Sequence, residues 1–196
     1  FEPNEALTVS MNNLTGTSLS VKIDDTAEVT INNDDLEIPT ITNFQDVTYA
    51  YGTSNILLGA ISNSGGTITY SIEGANTTGT TLSGPNNRIV TLGNVGTVTI
   101  RATVAANGSF TSGTKDITLT IVKANQIISF GDGASVAKAL GTAPYALTAT
   151  ATSGGEITFV SSNTDVATIS GNTVTLVGIG TSNIIASQAG TSNYNP

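Results

Sequence analysis

Ser64-Gly65-Gly66-Thr67-Ile68-Thr69-Tyr70 recurs 89 residues later as Ser153-Gly154-Gly155-Glu156-Ile157-Thr158-Phe159, and this repetition decides how the chain is read. Further along, Val90-Thr91-Leu92, Gly96-Thr97, Ile100, Ala102 and Phe110 return as Val174-Thr175-Leu176, Gly180-Thr181, Ile184, Ala186 and Tyr194, now at an offset of 84. Two copies of one module are present, and the second is five residues shorter in its middle. Self-similarity at this spacing means that one supersecondary unit is used twice. The copies span 37–123 and 124–196, with a different segment, 1–36, in front of them. The first copy closes on the alternating run Asp116-Ile117-Thr118-Leu119-Thr120-Ile121-Val122; the second reaches Pro196 before any counterpart of that run.

The repeated stretches alternate with period two. In Ile68-Thr69-Tyr70-Ser71-Ile72 and Val98-Thr99-Ile100-Arg101-Ala102-Thr103-Val104, apolar residues take one face and Thr, Ser or Arg the other. That is the pattern of a half-buried antiparallel sheet. Between the runs stand Gly65-Gly66, Asn107-Gly108, Asp132-Gly133, Gly154-Gly155 and Gly171-Asn172, residues that reach positive φ at little cost and so make turns. Composition agrees: 34 Thr, 19 Ser, 19 Asn and 21 Gly favour pleated strands and turns. The expectation is an all-β fold of tandem Greek-key β-sandwiches, about seven strands each and without helices. Leu7-Thr8-Val9-Ser10-Met11, Leu19-Ser20-Val21-Lys22-Ile23 and Ala27-Glu28-Val29-Thr30-Ile31 add about three strands at the front, too few to close a sandwich. They read as the C-terminal part of a module whose first half lies upstream. Short junctions without Gly/Ser runs, at 34–39 and 122–126, predict semi-rigid connections.

Charge and chemistry narrow the function. The chain carries 14 acids against 6 bases and no Cys, His or Trp, so zinc sites, disulfides, thiol nucleophiles and imidazole acid/base chemistry are excluded, and any metal is a hard cation on oxygen ligands. A net charge of −8 speaks against nucleic acid as a partner, and no window has the ~18 apolar residues of a membrane span. The acidity is local. Residues 1–37 hold eight acids and one base, a net of −7, whereas residues 38–196 hold six acids and five bases.

Family resemblances then appear on specific residues. Phe1-Glu2-Pro3-Asn4-Glu5, Leu7-Thr8-Val9-Ser10-Met11 and Thr26-Ala27-Glu28-Val29-Thr30-Ile31-Asn32-Asn33-Asp34-Asp35 resemble the closing half of a Calx-β domain. That resemblance implies a partial Calx-β sandwich at the front and a calcium cluster near the domain junction, with Glu2, Asp34 and Asp35 as the ligands present in this chain. Leu140-Gly141-Thr142-Ala143-Pro144-Tyr145, Ser161-Ser162-Asn163-Thr164-Asp165-Val166-Ala167-Thr168-Ile169 and Gly178-Ile179-Gly180-Thr181 resemble a bacterial Ig-like repeat, and residues 38–123 match it more loosely. The combination is similar to very long repeat adhesins of bacterial cell surfaces, including those of gliding motility. It implies a non-catalytic extracellular spacer whose partners are neighbouring repeats of the same polypeptide, with a glycan or surface ligand bound elsewhere in the parent protein. The alternative is an accessory or carbohydrate-binding segment of a secreted polysaccharide-degrading enzyme.

Smaller signals stand beside these. Asp25-Thr26-Ala27 resembles a bacterial O-glycosylation acceptor, which marks Thr26 as a modification candidate. The sequons at Asn13, Asn76 and Asn107 are expected by chance in so Asn- and Thr-rich a chain. Thr-x-Thr runs at 67–69, 97–99, 118–120, 148–150 and 173–175 read as outward strand positions rather than a flat ice-binding array, since twisted sheets scatter them. Adjacent acids such as Asp24/Asp25 and Asp34/Asp35 point to opposite faces of a strand and do not form a catalytic pair. Tyr70 and Tyr194 occupy aligned aromatic positions and are expected in the core, which leaves Tyr49 and Tyr51 as candidates for a binding face.

Overall fold

β-branched residues alternating with Thr and Ser pack well on pleated surfaces, and the chain folds on that rule. The structure, a computed structural model, describes residues 36–131, 133 and 135–196. The expected Calx-β segment therefore lies, apart from its last residue, outside the described residues. Those described are all-β, with a single 3-10 turn at Pro85–Asn87 and no α-helix.

The first repeat comprises β1 (Ile41–Thr42), β2 (Val47–Ala50), β3 (Ile56–Leu57), β4 (Ile61–Ser62), β5 (Ile68–Glu73), β6 (Thr81–Ser83), β7 (Ile89–Thr91), β8 (Gly96–Val104) and β9 (Gly113–Val122). One layer is the four-stranded sheet β2-β9-β8-β5; the other is β3-β7-β6, extended by the pair β1-β4 because β3 and β4 lie on one run of chain, 56–62. With β1/β2 and β3/β4 each taken as one interrupted strand, the module has the seven strands of an Ig-like sandwich. One pairing differs from the antiparallel expectation. β2 runs parallel to β9, with Val47 opposite Leu119, because the first strand begins on one layer, crosses after Thr42 and finishes on the edge of the other. Alternation specifies which face a residue takes and leaves strand direction open.

The core lies between the layers. From β8 come Val98, Ile100, Ala102 and Val104, from β9 Ile117, Leu119 and Ile121, and from β7 Val90. Tyr70 is buried as expected; its hydroxyl accepts the Ala60 N–H at 2.9 Å and its ring tilts against Phe44 at 5.7 Å, which satisfies the one polar atom of an aromatic core residue. On the outer face, cross-strand neighbours of β5, β8 and β9 carry charge. Arg101 donates to both carboxylate oxygens of Asp116 at 2.7 Å and reaches Glu73 at 3.2 Å.

The second repeat comprises β10 (Ile128–Phe130), β11 (Tyr145–Ala146), β12 (Ala149–Ala151), β13 (Thr158–Ser161), β14 (Ala167–Ser170), β15 (Thr173–Leu176) and β16 (Ile184–Ser187). Its sheets are β10-β12, β11-β15-β14 and β13-β16, each the counterpart of one in the first repeat. Even the register is kept: Tyr70 faces Ala102 across β5 and β8, and Phe159 faces Ala186 across β13 and β16. Most of the five-residue shortening falls between β14 and β15, where the tight turn Gly171-Asn172 replaces the 3-10 turn.

The repeated Ser-Gly-Gly now has a physical reason. Gly65 and Gly154 both sit at φ 67°, a left-handed conformation that favours glycine. Ser64 Oγ accepts the Gly66 N–H at 3.2 Å, and Ser153 Oγ accepts that of Gly155 at 3.3 Å. A Cβ on Gly66 would come within 2.2 Å of the Ala105 carbonyl oxygen, so the second glycine is required by close approach.

Candidate functional site

The residues expected to hold calcium, Glu2, Asp34 and Asp35, and the modification candidate Thr26 lie outside the described residues. Among the described residues, no group of three or more acidic side chains is placed to hold a metal ion. The most elaborated polar arrangement is instead the junction between the two repeats.

It is built on a device that each repeat uses at its own start. In the first repeat, Glu37 pairs in parallel with Phe110, its N–H donating to the Ser109 carbonyl and its carbonyl accepting the Thr111 N–H, both at 2.8 Å. In the second, Ala124 pairs in parallel with Tyr194, its N–H donating to Asn193 O at 3.0 Å and its carbonyl accepting from Asn195 N at 2.8 Å. The chain that links the repeats is thereby hydrogen-bonded in parallel to residues 193–195 of the second repeat.

Side chains then bridge from one repeat to the other. The Asn193 amide donates to Asn94 Oδ1 at 2.9 Å and accepts the Val95 N–H at 3.0 Å, which uses both ends of one side chain on the turn between β7 and β8. Tyr194 meets Tyr51 edge-on, with ring centroids 5.5 Å apart and planes at 77°, an arrangement favoured by the opposite signs of ring edge and ring face. Tyr51 is itself fixed to the end of β9 by its N–H to Val122 O at 2.9 Å. Lys123 Nζ closes the set on the Thr191 carbonyl at 2.7 Å.

Two expectations are corrected here. Tyr194, expected in the core, is half-buried like its aligned partner Phe110 and serves the junction. Tyr51, a candidate for a binding face, is its partner there, while Tyr49 is half-buried on β2. Sequence reasoning did not single out Asn94 or Asn193. The available signal was the change from Ser109 to Asn193 at an aligned position, where a longer amide reaches the neighbouring repeat. Two of the sequon asparagines are also engaged: Asn76 Nδ2 donates to Thr80 O at 2.6 Å and Asn107 Nδ2 to Ser64 O at 2.8 Å.

The described residues contain one electrostatic feature of note. The hydrogen bonds from Arg101 hold the Asp116 carboxyl below the usual carboxylate range, the charge of Arg101 adding to the effect and partial desolvation opposing it. This pair belongs to the outer face of the first repeat. Among the described residues no helix is long and apolar enough to cross a membrane.

No protein-family profile matches the chain, and no curated protein does. Among solved structures, it is similar to the crystal structure of Drosophila N-cadherin EC1-4, at 17% identity and a TM-score of 0.35, over 72% of this chain and 41% of that one. The chain thus spans about two-fifths of that neighbour's length. A likeness of this degree carries no functional argument, and the reading below rests on the junction and on the residues.

Proposed function

We propose that the chain is a non-catalytic spacer segment of a long bacterial cell-surface adhesin, in which repeats are coupled end to end and hold a distal binding region away from the cell. The observation that carries this reading is the junction. Asn193, Tyr194, Tyr51 and Lys123 make direct contacts between successive modules, where a flexible tether would leave Gly- or Ser-rich linker. The absence of His and Cys from the sequence supports a mechanical role over a chemical one. In this reading the neighbouring repeats are the partners, a glycan or surface ligand is bound elsewhere in the parent, and the setting is extracellular.

Calcium at Glu2, Asp34 and Asp35 belongs to the same proposal, as a stiffener of the acidic joint ahead of the first repeat. Calcium takes six to eight oxygen ligands, more than these three residues supply, so the test is calorimetric titration of a protein that includes the whole front module. Heat and a raised melting temperature at millimolar calcium support the assignment; no heat and an unchanged melting curve refute it. For Thr26, the intact mass of the protein from its native host decides: a mass equal to that of the sequence removes the glycan.

The spacer reading is separated from the accessory-segment reading by glycan-array binding of this chain. A spacer is silent on the array. Saturable binding to a defined polysaccharide would overturn the spacer assignment and favour the accessory segment.

A further inference from the structure

The turn that receives Asn193 is itself held from inside the first repeat. Thr78 and Thr80, on the loop between β5 and β6, are each 1% exposed. Burying a hydroxyl is costly unless it is hydrogen-bonded, and here both are. Asn76 Nδ2 donates to the Thr80 carbonyl at 2.6 Å, which leaves Asn76 Oδ1 to accept from Thr78 Oγ1 at 3.0 Å. Thr78 Oγ1 lies 2.7 Å from Thr80 Oγ1; its own proton is already given to Asn76, so Thr80 is the donor between the two hydroxyls. Thr80 Oγ1 then accepts the Gly93 N–H at 3.2 Å, while the Thr78 carbonyl accepts the Asn94 N–H at 2.7 Å. Immediately after these two amides come Asn94 Oδ1 and the Val95 N–H, the groups that meet the Asn193 side chain. One chain of hydrogen bonds runs from Asn76 through two buried hydroxyls to the face of the joint.

Packing does not call for those hydroxyls, because the second repeat closes the same turn without them. Leu82 faces Val90 and Ile169 faces the aligned Val174, so two residues earlier Thr80 corresponds to Ala167, which is also buried at 4% exposure. Val166 takes the part of Thr78. Its Cγ2 is the atom that a Cβ on Gly180 would meet, as Thr78 Cγ2 is for the aligned Gly96. Its carbonyl accepts both the Val177 and the Gly178 N–H, at 2.9 and 3.3 Å. With Val and Ala in the loop, two successive amides of the turn therefore rest on one carbonyl, whereas the hydroxyl of Thr80 gives Gly93 an acceptor of its own.

We infer that Thr78 and Thr80 are positioning residues of the joint. Both make their hydrogen bonds within the first repeat, and together they fix the turn 93–95 so that Asn94 Oδ1 and the Val95 N–H face one amide at once. Without the hydroxyls the turn is free to settle as 177–178 does, and the two groups no longer address Asn193 together. This role rests on the spacer reading, since it acts only through the contact between repeats.

The test uses the full chain carrying Thr78→Val with Thr80→Ala, the residues that the second repeat holds at these places, and separately Thr80→Val and Thr80→Ser. Amide hydrogen exchange is read at Val95, residual dipolar couplings are read on both repeats, and exchange in β9 reports whether the first repeat stays folded. The expected result for T78V/T80A and for T80V is exchange at Val95 about tenfold faster, with two alignment tensors in place of one. T80S is expected to behave as the unaltered chain, and β9 to stay protected throughout. Unchanged exchange at Val95 and a single tensor in both hydroxyl-free variants overturn the inference. So does a lowered melting temperature with the tensor still single, which assigns the hydroxyls to stability alone, or loss of β9 protection in both variants, which makes them a requirement of the fold. Two tensors in the unaltered chain would overturn the spacer reading and this inference with it, so the unaltered chain tells the two failures apart.

Discussion

The two repeats of this chain place the same residues on the same strands and finish with different cores. Val90 and Val174 are aligned and are both fully buried; they sit at the centre of the layer that is complete in both copies. Ile100 and Ile184 are also aligned, yet Ile100 is 0% exposed while Ile184 is only half-buried. The side chain is identical, so the difference lies in what stands beside it. β9 covers Ile100 from one flank, and no described strand does so for Ile184. Among the described residues, the twelve buried ones of the first core against the three of the second express one strand pair more than they express any difference in hydrophobic content. A sandwich strand therefore contributes more than its own side chains: β9 also creates the place for β2.

The sharpest way to break this comparison is to truncate aligned positions. Leu119→Ala opens a cavity in a fully buried site and is expected to cost the first repeat about 2–5 kcal/mol. Ile184→Ala removes a half-buried side chain that no described strand flanks on its far side, and its cost should be less than half that of Ile100→Ala. Chemical denaturation followed separately for each repeat checks both. Equal costs at Ile100 and Ile184 would mean that the two side chains are equally covered in solution.

Gly66→Ala comes next in size. The new Cβ would stand 2.2 Å from the Ala105 carbonyl oxygen, and the displaced backbone is expected to cost about 1–3 kcal/mol. At the aligned Gly155 the nearest atom is the Gln188 side-chain nitrogen, the end of a flexible group. Gly155→Ala should therefore be the milder change of the two, and the melting temperatures of the pair test that order.

At the junction the effect is one of coupling. A double-mutant cycle with Tyr51→Ala and Tyr194→Ala is expected to give an interaction energy of about 0.5–1.5 kcal/mol for the ring pair. Zero coupling would remove the aromatic contact from the account of the joint.

How far the sequence carried this picture follows the same division. The repeat, the all-β class and the Ser-Gly-Gly turns were legible because they depend on local alternation and on backbone conformations that glycine adopts most readily. The parallel pairing of β2 with β9 was not, because strand direction is decided by where the chain crosses between layers, and no residue of Val47–Ala50 encodes that crossing by itself. The junction role of Tyr194 was not legible for a related reason: its alignment with Phe110 carries no information about Tyr51, 143 positions away in the sequence, whose ring it meets. The candidate calcium ligands were legible only through resemblance, as carboxylates at a module boundary, and they remain a proposal.

The smallest expected effect is that of pH. The Asp116 carboxyl is held below its ordinary range by Arg101, so the ion pair stabilises the fold at pH above the ordinary carboxylate value and that contribution fades as pH falls through the lowered folded value. Asp116→Asn should therefore flatten the acid side of the melting-temperature profile slightly, and added salt should shrink the difference between the two proteins. An identical acid limb for both would show that the pair contributes nothing measurable, as many exposed pairs do.

The proposed spacer function depends on coupling of the repeats through Asn193, Tyr194, Tyr51 and Lys123. Residual dipolar couplings measured on the chain in solution test it most directly. The account predicts that amides of β5, β8 and β9 and amides of β13, β15 and β16 fit one alignment tensor, and that Asn193→Ala combined with Tyr194→Ala separates them into two. Two tensors of different magnitude in the unaltered protein would contradict it.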